Sequence, residues 1–139
     1  MYSLSQRSLN ILSTCHEDLQ TLANEAIKNS PYDFGITHGI RSPKLQNKLY
    51  QQGRTKPGKI VTYIDGYNKK SKHNYDPALA MDIAVYVSGE ITWKLAFYEI
   101  VANHIMSVSE RLFEENKISN RIVWGGNWKK FKDYPHFQI

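Results

Sequence analysis

The sequence predicts an α+β fold: one small domain spanning residues 1–139, with helices packed on a short antiparallel sheet. Three observations carry this. Helical periodicity comes first along the chain, strands and helices then mix without a βαβ rhythm, and 139 residues are the size of one domain.

The elements follow in order. Ser3 to Leu12 reads as a short helix. Leu19, Leu22, Ala23, Ala26 and Ile27 recur at helical spacing, and Pro31 closes that helix because the residue before a proline avoids the helical region. Phe34, Ile36 and His38 alternate with Gly35, Thr37 and Gly39, the pattern of a strand. Ser42-Pro43 is a helix start, a capping hydroxyl followed by proline in the first turn, and the helix stops near Gly53. Gly53 to Asn74 is polar and broken by Pro57, Gly58 and Gly66; it predicts a long loop with a short strand at Ile60–Ile64. Ile83, Val85 and Val87 alternate with Asp82, Ala84 and Tyr86 in a second strand that Gly89 turns. Thr92 is the expected cap of the longest helix, whose stripe runs from Trp93 to Leu112. Ile122–Trp124 and Pro135–Ile139 close the chain as short strands.

The apolar fraction, 41%, suits a globular domain with a real core. A single cysteine, Cys15, rules out an internal disulfide and any metal site built from several thiolates. The N-terminal residues lack the charged start and apolar run of a secretory signal, and no stretch is long enough to cross a bilayer. The expectation is a protein made and kept in the cytoplasm, without stable membrane insertion. Net charge is +5, concentrated between Lys44 and Lys72, where Asp65 is the one acid. Such a segment is drawn to polyanions, or is simply a solvated basic loop.

Chemistry concentrates in His73, Asp82 and His136. Two imidazoles and one carboxylate bind zinc and leave a coordination position open, the pattern of a catalytic site. Asp133 lies three residues before His136, just ahead of Pro135, where a bend can bring its carboxylate over that open position as a base. In the last strand His136 and Gln138 share one face, Phe137 and Ile139 the other. Asp82 opens the apolar run Ile83-Ala84-Val85, where an unpaired carboxylate is costly unless it meets a cation or donors. Taken singly, each has an ordinary alternative: a core histidine, or a turn carboxylate. His16, His38 and His104 are assigned to those ordinary roles, and Asp76 is a rival to Asp82.

Ser71-Lys72-His73, Ala80-Met81-Asp82 and Asp133-Tyr134-Pro135-His136 together resemble the signature of the VanY-like D-Ala-D-Ala carboxypeptidase family, above all its bacteriophage endolysins that act as L-alanyl-D-glutamate peptidases. Ser30-Pro31-Tyr32-Asp33-Phe34, Gly39-Ile40-Arg41-Ser42 and Trp124-Gly125-Gly126-Asn127-Trp128 extend the similarity over nearly the whole chain. The resemblance implies a hedgehog/DD-peptidase-like fold, Zn2+ held by His73, Asp82 and His136, and Asp133 as catalytic base. It implies Arg41 as the group facing the scissile carbonyl, Ser71 as a support of the ligand loop, and Gln46 as a substrate contact or a plain surface residue. The gap Asn74-Tyr75-Asp76-Pro77-Ala78-Leu79 is longer than the family's and lacks its glycine. Asn127 and Gln138 stand where acidic residues are usual.

The expected function is therefore zinc-dependent hydrolysis of the L-alanyl-D-glutamate bond of the peptidoglycan stem peptide by a monomeric phage endolysin. It would be held in the host cytoplasm until lysis, reach the wall through a pore made by another protein, and be attracted to anionic envelope polymers by its basic loop. Nucleic acid is not an expected partner. The rival readings are a D-alanyl-D-alanine carboxypeptidase or dipeptidase, and a non-catalytic wall-binding module.

Overall fold

A computed structural model describes residues 1–139. Helix α1 (Gln6–Leu12) starts later than Ser3 because the Ser5 hydroxyl accepts the Ser8 N–H at 3.1 Å and so caps it. Helix α2 (Glu17–Ala26) buries Leu19, Leu22, Ala23 and Ala26 on one stripe. Strand β1 (Asp33–His38) and helix α3 (Pro43–Gln51) follow, the latter capped by Ser42 with proline in its first turn. Strand β2 (Ala80–Val87) turns through Ser88 and Gly89 into β3 (Glu90–Thr92). Both turn residues have positive φ, 52° and 79°, which the tight two-residue hairpin demands. Helix α4 (Leu95–Glu114), β4 (Val123–Trp124) and β5 (His136–Gln138) complete the chain.

The sheet is antiparallel, ordered β1-β2-β5-β4, with β3 pairing the far end of β2. One cluster of 23 buried residues joins α2 and α4 to the sheet through Phe34, Met81, Ile83, Tyr98, Ile105 and Phe137. No helix is long and apolar enough to cross a membrane.

Two expectations need correction. Thr92 does not cap the longest helix: the hairpin keeps it in β3, where it pairs with Val85, and α4 begins at Leu95. Ile60–Ile64 forms no strand. Its region bonds to side chains instead: Gln52 donates to the Lys59 carbonyl at 2.9 Å, Arg54 to that of Thr62 at 3.1 Å and Gln46 to that of Ile64 at 2.9 Å. Side chains of α3 and its C-terminal turn thus satisfy carbonyls that a neighbouring strand would otherwise take.

Cys15 is buried, its Sγ 3.7 Å from the Ala80 carbonyl, and burial pushes its thiol up to about 11. The native protein is expected to resist a thiol-specific reagent at pH 8 and to react with one equivalent in denaturant. Rapid labelling of the folded protein would contradict this placement.

Candidate active site

Strand pairing assembles the site. Asp82 on β2 lies opposite His38 of β1 on one side and His136 of β5 on the other, and paired residues project from the same face of a sheet. His73 comes from the loop, on a single turn at Lys72–Asn74. The Ser71 hydroxyl accepts the His73 N–H at 3.2 Å, and Asn74 Oδ1 accepts the Ser71 N–H at 2.8 Å. Asn74 also donates to the Arg41 carbonyl at 2.8 Å, and the Arg41 N–H donates to the His73 carbonyl at 2.7 Å. Ser71 therefore holds the loop that carries His73, and the same bonds tie it to Arg41.

Both imidazoles are fixed from behind. His73 Nδ1 lies 2.7 Å from the Gly39 carbonyl, an acceptor only, so this nitrogen carries the proton and Nε2 presents a lone pair. His136 Nε2 donates to Gln138 Oε1 at 2.8 Å, leaving Nδ1 to face the centre. Partners of this kind set the tautomer and aim of metal-binding histidines. The glutamine in place of an acid at 138 thus keeps an acceptor at that position without a charge.

Three electron-rich atoms then converge. His73 Nε2 is 3.3 Å from His136 Nδ1 and 3.4 Å from Asp82 Oδ1, and His136 Nδ1 is 3.1 Å from the same oxygen. Ligand atoms around a tetrahedral zinc, with bonds of about 2.0–2.1 Å, lie roughly 3.3 Å apart. Lone pairs this close in a buried setting require a cation or a proton between them. The donor set, its spacing and its outward-facing N–H groups fit a divalent metal, with one coordination position left free.

Burial alone would raise the Asp82 carboxyl, but the His136 and His73 imidazoles packed against it outweigh burial and hold the group ionised, far below the usual range. Burial would lower His136, and its bond to Asp82 reverses the sign, so it retains a proton above ordinary imidazole values. A metal must displace that proton. Metal affinity is therefore expected to fall as pH drops below the raised His136 value, by up to about tenfold per pH unit, and to level off above it. Zinc titrations from pH 5.5 to 8.5 check this; an affinity independent of pH would contradict it.

The second Asp82 oxygen lies 3.7 Å from Arg41 Nη2 and 3.6 Å from His38 Nδ1. His38, assigned to an ordinary role by sequence, thus borders the centre and lines the cleft. Asp76 is exposed and outside the cluster, so it is no rival to Asp82. His16 caps α2, accepting the Asp18 N–H at Nδ1, and His104 Nε2 meets the Ala26 carbonyl at 2.8 Å; both are structural.

Gln46 also differs from expectation. It is 1% exposed and does not line the cleft. Its Oε1 accepts from Arg41 Nη1 at 2.9 Å while its amide nitrogen donates to the long loop, so it fixes the guanidinium from beneath the cleft lining.

Asp133 sits on a tight turn. Its N–H donates to the Gly125 carbonyl at 3.0 Å, its carbonyl accepts from the His136 N–H at 3.2 Å, and Trp124 Nε1 holds the Tyr134 carbonyl at 2.8 Å. Gly125 permits this, since a Cβ there would collide with the Asp133 carbonyl oxygen. The turn brings Asp133 Oδ2 to 3.9 Å from His136 Nδ1. Burial, then repulsion from Asp82, raises its carboxyl above the ordinary aspartate value. All of this faces a cleft of about 620 Å³, walled by the long loop and the segment around Trp128 and Phe131.

The solved structure of the Serratia marcescens L-Ala D-Glu endopeptidase ChiX shares this fold, with a TM-score of 0.75 at 24% identity, covering 99% of this chain and 90% of ChiX. The L-alanyl-D-glutamate peptidase of Escherichia phage T5 is 27% identical over 137 residues, 96% of this chain and 86% of that one. The peptidoglycan L-alanyl-D-glutamate endopeptidase CwlK of Bacillus subtilis (strain 168) is 40% identical over 121 residues, covering 82% of this chain; the match spans 65% of the length of CwlK. The family model described as phage L-alanyl-D-glutamate peptidase matches residues 1–138. A match from end to end, on a chain whose fold gathers His73, Asp82 and His136 beside Asp133, leaves one assignment: the chain belongs to the phage L-alanyl-D-glutamate peptidase family.

Proposed function

We propose that this protein is a zinc-dependent hydrolase of peptidoglycan that cuts the L-alanyl-D-glutamate amide of the stem peptide. The observation that carries the reading is the convergence of three lone-pair donors, a carboxylate and two imidazoles whose outward N–H groups are already taken. Family membership supplies the bond.

His73, Asp82 and His136 would hold the ion, which when bound supplies a Lewis acid and makes water acidic enough to ionise near neutral pH. Asp133, raised above the usual carboxylate range, accepts a proton from the attacking water and returns it to the amide nitrogen as the C–N bond breaks. Arg41 offers its guanidinium to the carbonyl oxygen on which charge develops. It is preorganised for this: Gln46 and Asp82 fix its two terminal nitrogens, and its buried Nε has no acceptor in the protein. The basic segment from Lys44 to Lys72 keeps the enzyme near anionic envelope polymers, and it works as a monomer that waits in the host cytoplasm until lysis.

Mass spectrometry of purified peptidoglycan after digestion tests the bond. New N-terminal D-glutamate supports the proposal. Released D-alanine with no such ends would assign a carboxypeptidase instead.

A further inference from the structure

The cleft has a charge pattern that the reaction does not use. Its lining includes Lys70, Lys72 and Lys130, and none of the three has an acidic partner in the structure, although ion pairs elsewhere on the surface are common. The carboxylates in the lining are Asp82 and Asp133, and both lie within 4 Å of His136 Nδ1 at the metal centre. The lysines therefore have no counter-charge of their own.

Two of them flank Ser71 on the segment that carries His73. The Lys72 carbonyl accepts the Leu79 N–H at 2.9 Å, which fixes its backbone next to His73. The Lys70 ammonium lies 4.8 Å from the Tyr75 ring centroid, a contact that steadies the side chain without neutralising it. Lys130 lines the same cleft from the C-terminal segment, beside Phe131, whose ring packs on Tyr63 of the long loop at 4.9 Å between centroids. That ring pair ties the segment of Lys130 to the long loop that leads into Lys70 and Lys72.

The substrate has a matching charge. A glutamyl residue whose nitrogen belongs to the scissile amide carries two carboxyl groups. Continuing the peptide uses one, so the other remains a free anion within a few bonds of the reacting nitrogen. We infer that Lys70, Lys72 and Lys130 form a carboxylate subsite that recognises the free carboxylate of this glutamyl residue, so that the enzyme discriminates against stem peptides in which it is a primary amide. The inference rests on the proposed function and adds to it a preference that the peptide bond alone does not require. The two substrates differ by one charge at nearly constant shape, so hydrogen bonding to an anion, and not pocket volume, sets the difference.

The test compares kcat/KM of the zinc-loaded enzyme on two synthetic L-Ala-D-Glu peptides, one with the glutamyl carboxylate free and one with it amidated. The wild type is expected to favour the free acid roughly tenfold or more. The variant K70Q/K72Q/K130Q is expected to bring that ratio close to one, and added salt to reduce the wild-type ratio because the lysines are solvent-accessible. Equal rates of wild type on both peptides, or an undiminished ratio in the triple variant, would overturn the subsite while leaving the peptidase intact. Cleavage of neither peptide would overturn the proposed function and this inference with it.

Discussion

Asp133→Asn is expected to keep its zinc and lose about 10²–10⁴-fold in kcat, the usual worth of a positioned general base. The substitution is nearly isosteric, and the turn that positions residue 133 is held by backbone groups and by Trp124, none of which the change removes. The carboxylate oxygen is 3.9 Å from His136 Nδ1, farther than the 3.1, 3.3 and 3.4 Å that separate the atoms of His73, Asp82 and His136, so metal content should be unaffected. Hydrolysis of purified walls, read with metal analysis of the same sample, checks both halves. Near-normal turnover with metal bound would remove Asp133 from the chemistry.

His73→Ala should be still more severe, because it removes a ligand and leaves Asp82 and His136 to hold an ion alone. It also leaves the Gly39 carbonyl without the ring N–H that lies 2.7 Å away. The expected result is protein that folds, shown by an unchanged circular dichroism spectrum, yet retains no zinc after dialysis and shows no hydrolysis above background. The fold should survive because His73 sits on a loop tied down by Ser71, Asn74 and Arg41 through groups other than its ring. Stoichiometric zinc in this variant would mean that the ion is held elsewhere.

Local patterns in the sequence account for much of this architecture. The apolar stripe from Leu19 to Ile27, the Ser42-Pro43 helix start and the alternation of His136, Phe137 and Gln138 each depend on neighbours a few residues apart. β3 was not legible, because three residues after a tight turn carry too little pattern to separate them from the start of the next helix. His38 was missed for a different reason. It reaches the site only through the register that sets it beside Asp82, and that register includes an irregularity between Ile36 and His38 that no local pattern announces. Gln46 was placed on the right helix, but its inward aim depends on the long loop folding over α3. The ligand set stood out because its three members sit among neighbours with a family resemblance; spacing alone would have left Asp76 in contention.

The most direct test is metal content measured together with wall hydrolysis on one preparation. Fully loaded protein should hold one zinc per chain and release new N-terminal D-glutamate from peptidoglycan; chelation should abolish that release, and added zinc restore it. Undiminished hydrolysis by protein proven free of metal would contradict the account at its centre.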